Sequence, residues 1–402
     1  MIVRNIALLG HKDHGKSTLI GSLLMQTGAA TQVRIKEAEA YSKKLHKAFE
    51  PAFILDSFHE EREEGRTIDT TRAEITYRDT AFALIDVPGH EELIKNMISG
   101  ASYGEMAVLL VSAKGEEGIR DQTKRHLFIA RMLGIDRLVV AVNKVDTIGY
   151  DREKFEEIRQ GLEGFIESIG FAKKNVHFIP ISAYNGENLV KKSENMPWYK
   201  GDTLLELLYK DAAEKEKAGD EGTRIILQGA LDEDMVVGRI ASGSIRIGDD
   251  ATILPARTGV QIKEIKVKGV DVKKAAKGEN VALKLDKRVG EVRGLVLSDA
   301  KKPPRLADRF DSRIFVTNEI GNNLAIKFNG VDIGCKNLSV SNSINTCTGE
   351  KAKSSKAKVL DAIEASVSLE REIPIESYDK LRELGRFVLY SGKEFAGIGI
   401  IL

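Results

Sequence analysis

Gly10-His11-Lys12-Asp13-His14-Gly15-Lys16-Ser17-Thr18 fits the pattern G-x-x-x-x-G-K-[ST], and it stands between the elements that the pattern needs. An apolar run over 2–9 reads as a strand before it, and a stretch of helical period opens at Leu19 after it. Gly10 and Gly15 let backbone amides turn towards phosphate oxygens, and the positive end of the following helix adds to the attraction. In such a cradle Lys16 reaches the β- and γ-phosphates, and the Ser17 hydroxyl is placed to bind Mg²⁺. The competing reading, a glycine-rich turn without a ligand, loses ground because further motifs follow in the right order.

Working outward, short apolar runs at 81–85, 107–111, 138–142 and 177–181 alternate with longer stretches of helical period to about Leu208. That alternation predicts an α/β fold, a P-loop domain with a mostly parallel sheet wrapped by helices. Each run ends where a motif begins, and ligands of open α/β sheets sit outside the carboxyl ends of the strands. Asp86-Val-Pro-Gly89-His90 offers a carboxylate for a magnesium-bound water and a glycine amide for the γ-phosphate. Asn143-Lys144-Val-Asp146 supplies an aspartate that accepts from both N1–H and N2–H₂ of guanine, a pattern adenine does not present. Ser182-Ala183 then completes the base pocket with a backbone amide towards the guanine O6. GTP and GDP are the nucleotides these residues imply.

With 402 residues, two or three domains are expected. The balance of 61 Lys+Arg against 60 Asp+Glu is that of an ordinary soluble chain, so bulk charge says nothing about nucleic acid, and a local basic face stays open. Two cysteines, Cys335 and Cys347, are too few for a disulfide framework or a metal knuckle and read as free thiols. No apolar run reaches the roughly 18–20 residues of a membrane span, so the expected location is the cytoplasm, away from membranes. A charged segment over 210–222 ending in glycines reads as a helix running into a linker, and the texture then changes to short alternating runs broken by Gly243, Gly248-Asp249 and Gly269. These predict a small β-barrel, and Lys301-Lys-Pro-Pro304 separates it from a second β domain. The expected boundaries are 1–212 for the nucleotide domain, 223–303 for the first barrel and 305–402 for the second.

The four motifs in this order resemble the G domain of translational GTPases, the group of elongation factor Tu and elongation factor 1-alpha. The resemblance extends to Gly89-His90-Glu-Glu-Leu-Ile-Lys-Asn-Met97, Gln122-Thr-Lys-Arg-His126 and Asn195-Met-Pro-Trp-Tyr-Lys-Gly201. It implies that His90 orients the attacking water and that Thr67, in Gly65-Arg-Thr67-Ile, completes the magnesium shell. The catalytic set it implies is Lys16, Thr67, Gly89 and His90. It also implies two barrels, with Gly238–Asp249 resembling part of the second domain and 384–389 and 396–401 resembling the end of the third.

Two positions depart from the group. Apolar residues usually flank the water's path there, and Lys12 and Arg66 stand in their places. One of them could act as a cationic stabiliser of the γ-phosphate transition state in cis; the alternative is that both point to solvent or pair with nearby carboxylates. Single-turnover GTP hydrolysis in Lys12→Ala and Arg66→Ala separates the two, and unchanged rates remove the first. Asp232-Glu-Asp-Met235 and Gly334-Cys-Lys-Asn337 also depart from segments by which the group holds aminoacyl-tRNA. Two function classes stay open. One is a translation factor that takes a tRNA or a tRNA-like protein to the ribosome, with a guanine-nucleotide exchange factor as a further partner. The other is the GTPase subunit of two-subunit ATP sulfurylase, partnered by its catalytic subunit. A binding module with a vestigial site is a third reading, opposed by the intact Lys16, Ser17, Thr67, Asp86 and His90 set.

Overall fold

The protein is described by a computed structural model that covers residues 3–44, 46, 48–55, 72–86, 106–115, 118–213, 222–232 and 234–402. It divides into two compact units, Met1–Glu216 with Thr346–Gly349, and Lys217–Asn345 with Glu350–Leu402.

In the first unit the strands β1 (Val3–Leu9), β2 (Arg72–Tyr77), β3 (Thr80–Asp86), β4 (Met106–Ser112), β5 (Arg137–Asn143) and β6 (Val176–Pro180) form one sheet in the order β2-β3-β1-β4-β5-β6. β1, β3, β4, β5 and β6 run parallel, and β2 pairs antiparallel with β3. All seven residues of β4 are buried, as expected for a strand covered on both faces. The described helices of this unit are α1 (Lys16–Gln26), α2 (Gln32–Lys44), α3 (Asp121–Met132), α4 (Arg152–Ser168) and α5 (Leu204–Ala213). A continuous core joins Leu19, Ile20, Leu23 and Leu24 of α1 to Leu8, Leu84 and Leu110 of the sheet and to Leu204, Leu205 and Leu208 of α5. Residues at i, i+1, i+4 and i+5 lie on one helical face, so α1 is fixed rigidly beneath the loop that precedes it.

The runs predicted at 81–85, 107–111, 138–142 and 177–181 lie within or against β3, β4, β5 and β6. β2 escaped the sequence reading. Its alternating burial, with Ala73 and Ile75 inside, is the pattern of a half-buried edge strand. None of the described helices is long and apolar enough to cross a membrane.

The second unit contains two closed barrels. In one, the strands Asp250–Leu254, Val296–Asp299, Arg224–Asp232, Met235–Ser242, Asn280–Leu285 and Thr258–Val267 follow in order, and the last pairs back with the first. In the other the order is Leu324–Phe328, Arg386–Ser391, Glu394–Ile401, Arg305–Val316, Ala362–Ile375 and Val331–Ile344, closing on Leu324–Phe328. Closure removes the free strand edges that a short open sheet would present. Each barrel is filled by alternate strand residues, such as Ile225, Val236, Ile253 and Leu283 in the first, and Ile314, Val367, Phe387 and Leu389 in the second.

A buried ion pair spans the two barrels. Arg224 is 3% exposed, and its guanidinium donates to Glu376 Oε1 at 3.0 Å and to Thr223 O at 3.1 Å. Removing the cation strands a carboxylate whose side chain is only 14% exposed. Arg224→Ala is therefore expected to destabilise the C-terminal unit by about 3 kcal/mol. Guanidinium chloride unfolding of the variant checks this, and an unchanged midpoint would show that Glu376 finds water or another partner.

Candidate functional site

The site is built on loops at the carboxyl ends of β1, β3, β5 and β6. Leaving β1, the chain turns at Gly10 with φ +133°, where a Cβ would lie 2.6 Å from the Leu110 carbonyl oxygen. His11 then caps a short 3₁₀ turn over Lys12–His14, its side chain accepting from Asp13 N. The His14 ring is fully buried, with Nδ1 2.9 Å from that same Leu110 oxygen. A carbonyl only accepts, so Nδ1 carries the proton. Gly15 sits in the left-handed region with φ +89°, and a Cβ there would meet Asn143 Nδ2 at 2.6 Å.

α1 starts at Lys16 without any side-chain cap. α4, by contrast, is capped by Asp151, whose carboxylate accepts from the amides of Glu153 and Lys154. The uncapped first turn of α1 leaves amide donors facing the loop, where the helix dipole also favours an anion. Lys16 is 6% exposed, and its ammonium donates to Gly10 O at 3.0 Å and His11 O at 3.3 Å. Burial lowers its pKa, against the attraction of Asp86 and Asp13. Two of its three donors are thus used within the loop, and the third is available to a ligand oxygen. Ser17 is exposed beside it, and Thr18 Oγ1 donates to Glu50 Oε1 at 3.4 Å. Asp86 ends β3 and is half-buried.

On the base side, Asn143 is 2% exposed and joins three loops. Its Nδ2 donates to His14 O at 2.8 Å, and its Oδ1 accepts from Ala183 N at 2.9 Å. Both ends of the amide are therefore spent within the protein, so Asn143 holds the phosphate loop and the 182–183 loop in register. Lys144 follows in the left-handed region at φ 65°. Asp146 lies in the next 3₁₀ turn, and its Oδ1 is buried without a hydrogen-bond partner among the described residues. A buried carboxylate oxygen left unpaired costs about 1–3 kcal/mol or more. A ligand carrying adjacent N–H groups removes that cost, and the guanine edge is such a ligand. Ser182 and Ala183 are buried at 0% and 1%.

The residues expected from sequence to bind nucleotide are thus brought together: Gly10 to Thr18 on one side, Asn143, Lys144, Asp146, Ser182 and Ala183 on the other, and Asp86 at the neighbouring strand end. Thr67, Gly89, His90 and Arg66 lie outside the described residues, as does the Lys12 side chain. Two contributors escaped the sequence reading. Ser22 Oγ donates to Ala183 O, and Gln26 Nε2 donates to Gly186 O at 2.8 Å. They stand one helical turn apart on α1 and tether the base loop to the phosphate-loop helix. A polar pair at i, i+4 on an otherwise apolar helix was the available signal.

Comparison with known proteins agrees with this geometry. A family model described as the elongation factor Tu GTP binding domain matches residues 1–214, and one described as GTP-eEF1A C-terminal domain-like matches 309–402. The chain is 34% identical to the elongation factor 1-alpha of Hyperthermus butylicus, covering 99% of this chain and 95% of that one. It is 34% identical to the elongation factor 1-alpha of Methanothermobacter thermautotrophicus, covering 96% and 94%. A solved structure of a bacterial selenocysteine-specific elongation factor aligns with all of this chain and 58% of that one, at 23% identity and a TM-score of 0.49. Nothing in these matches favours the sulfurylase reading. The chain belongs to the elongation factor 1-alpha and elongation factor Tu family of translational GTPases, which hydrolyse GTP.

Proposed function

We propose that this chain is a GTP-dependent switch that carries an aminoacyl-tRNA or a tRNA-like protein to the ribosome in the cytoplasm, with domains at 1–212, 223–303 and 305–402. The observation that carries the nucleotide reading is the buried, unpaired Asp146 Oδ1 beside loops that Asn143 holds in register. Asp146 would accept from the guanine N1–H and N2–H₂; the Ala183 amide, expected from sequence to meet O6, donates to Asn143 Oδ1 instead. Lys16 and the first-turn amides of α1 would hold the β- and γ-phosphates. Ser17 and Thr67 would hold Mg²⁺, with Asp86 gripping a water of its shell; the ion supplies charge neutralisation between the phosphates. Gly89 and His90 would place the attacking water.

The drifted segments 232–235 and 334–337 favour a specialised cargo over general aminoacyl-tRNA delivery. A guanine-nucleotide exchange factor is a further expected partner. Such sites are slow until a partner completes them. Single-turnover GTP hydrolysis with and without ribosomes tests the proposal. Stimulation by about a hundredfold or more is the expected result; an equal rate in both conditions would remove the ribosome from the account.

Lys12 and Arg66 do not carry the reaction in this account. Lys12→Ala and Arg66→Ala are expected to change the stimulated rate by less than about threefold, as for charges that pair with nearby carboxylates or with solvent rather than with the transition state. A fall of about a hundredfold in either variant would assign that side chain to the transition state.

A further inference from the structure

β6 forms one edge of the sheet in the first unit, and its outer backbone is incompletely used. Ile181 N donates to Val142 O, and Pro180 is in register with Val142. In a parallel ladder this turns the peptide groups of His177 and Ile179 towards β5 and those of Val176, Phe178 and Pro180 outward. Val176 N–H is taken by Lys173 O, and the Pro180 carbonyl by Asn188 Nδ2 at 2.9 Å. Among the described residues, the Val176 carbonyl and both polar groups of Phe178 have no hydrogen-bond partner on the outer side.

A groove of about 670 Å³ runs along this edge. Phe155, Phe178 and Trp198 give it an apolar wall, with the Phe155 and Trp198 rings 5.5 Å apart. Its charges are not balanced in kind. Every carboxylate of the lining already faces a cation: Glu156 with Arg159, Glu163 and Glu167 with Lys173, Asp202 with Lys210, and Asp211 with Arg137 and His177. Arg152, Lys174 and Lys200 also line the groove, are exposed, and form no ion pair among the described residues.

We propose that this groove binds an extended acidic segment of a partner protein, which adds as a strand beside β6 and places its carboxylates against Arg152, Lys174 and Lys200. Strand addition takes affinity from main-chain hydrogen bonds and specificity from alternate side chains. Pro180 limits the addition to a short stretch, because it offers no N–H. That restraint suits a transient contact and protects the edge from indiscriminate pairing. The groove lies on the outer edge of the sheet, while the nucleotide residues occupy the carboxyl-terminal loops, so both can be filled in the same molecule.

The chain contains a single tryptophan, Trp198, so its emission reports on the groove alone. The full chain with GDP is titrated with an amidated peptide of about seven residues alternating glutamate and valine. A saturable change in Trp198 emission and slowed hydrogen exchange at the Phe178 amide are expected. The counterpart alternating lysine and valine is expected to produce neither. Lys174→Glu combined with Lys200→Glu should weaken the acidic peptide by about tenfold or more, with GDP affinity unchanged as a check on folding. Four results would overturn the proposal: a Phe178 amide already protected in the free chain, equal binding of the lysine peptide, tighter perturbation of Trp198 by an RNA oligonucleotide, or dimerisation of the chain that hides the edge.

Discussion

Asp146→Asn is expected to weaken GTP and GDP equally, by about a thousandfold. The carboxylate oxygen Oδ1 is buried and unpaired among the described residues, so the protein has already met the cost of desolvating it. Guanine repays that cost with two N–H donors, and hydrogen bonds to a charged acceptor contribute about 1.5–3 kcal/mol each. Asparagine loses the charge and turns an NH₂ donor towards one of those donors, which replaces an attraction with a repulsion. Because the change touches only the base, the GTP to GDP affinity ratio should not move. Equilibrium displacement of a fluorescent GDP analogue measures both, and a loss under tenfold would mean that Asp146 does not read the base. Xanthine carries a carbonyl where guanine carries the 2-amino group, so the same variant is expected to gain affinity for the xanthine nucleotide.

Gly15→Ala is expected to abolish nucleotide binding at micromolar concentrations while leaving the C-terminal unit folded. Gly15 has φ +89°, a conformation that costs an L-residue roughly 1–3 kcal/mol. The added Cβ would also lie 2.6 Å from Asn143 Nδ2, so the amide must withdraw. Its withdrawal breaks the bond to His14 O and moves the Oδ1 that holds Ala183 N. Two buried hydrogen bonds at about 1 kcal/mol each add to the strain. The phosphate and base halves of the site then lose their common register. Calorimetric titration with GDP reads the loss, and circular dichroism separates it from global unfolding. Affinity within tenfold of the parent would show that the loop adjusts around the methyl group.

Both predictions rest on residues whose type was legible in the sequence, but whose roles were legible to different degrees. The strand, glycine-loop and helix succession around Gly10–Ser17 could be read directly, because the pattern needs a strand before it and a helix after it. Four of the parallel strands could be read because inner strands of such sheets are continuous apolar runs, and the edge strand β6 could be read from its short apolar stretch ahead of Ser182-Ala183. β2 could not, since Arg72–Tyr77 alternates over only a few residues and gains its meaning from the pairing with β3. Asn143 and His14 were expected to contact nucleotide. The structure instead spends the Asn143 amide on His14 O and Ala183 N and buries the His14 ring against Leu110 O. Such tertiary ties join residues 40 and 129 positions apart, and no local pattern encodes them. The tethers from Ser22 and Gln26 left a local trace, a polar pair at i, i+4 on α1, but their partners Ala183 and Gly186 lie 161 and 160 positions away.

Selection of guanine nucleotides by this arrangement is tested by competition between GTP and ATP for the purified chain at equilibrium. GTP is expected to displace bound GDP analogue, and ATP to do so at least about a thousandfold less effectively, as where a buried acceptor rejects a base lacking its donors. Equal displacement by ATP, or no binding of either nucleotide, would contradict it.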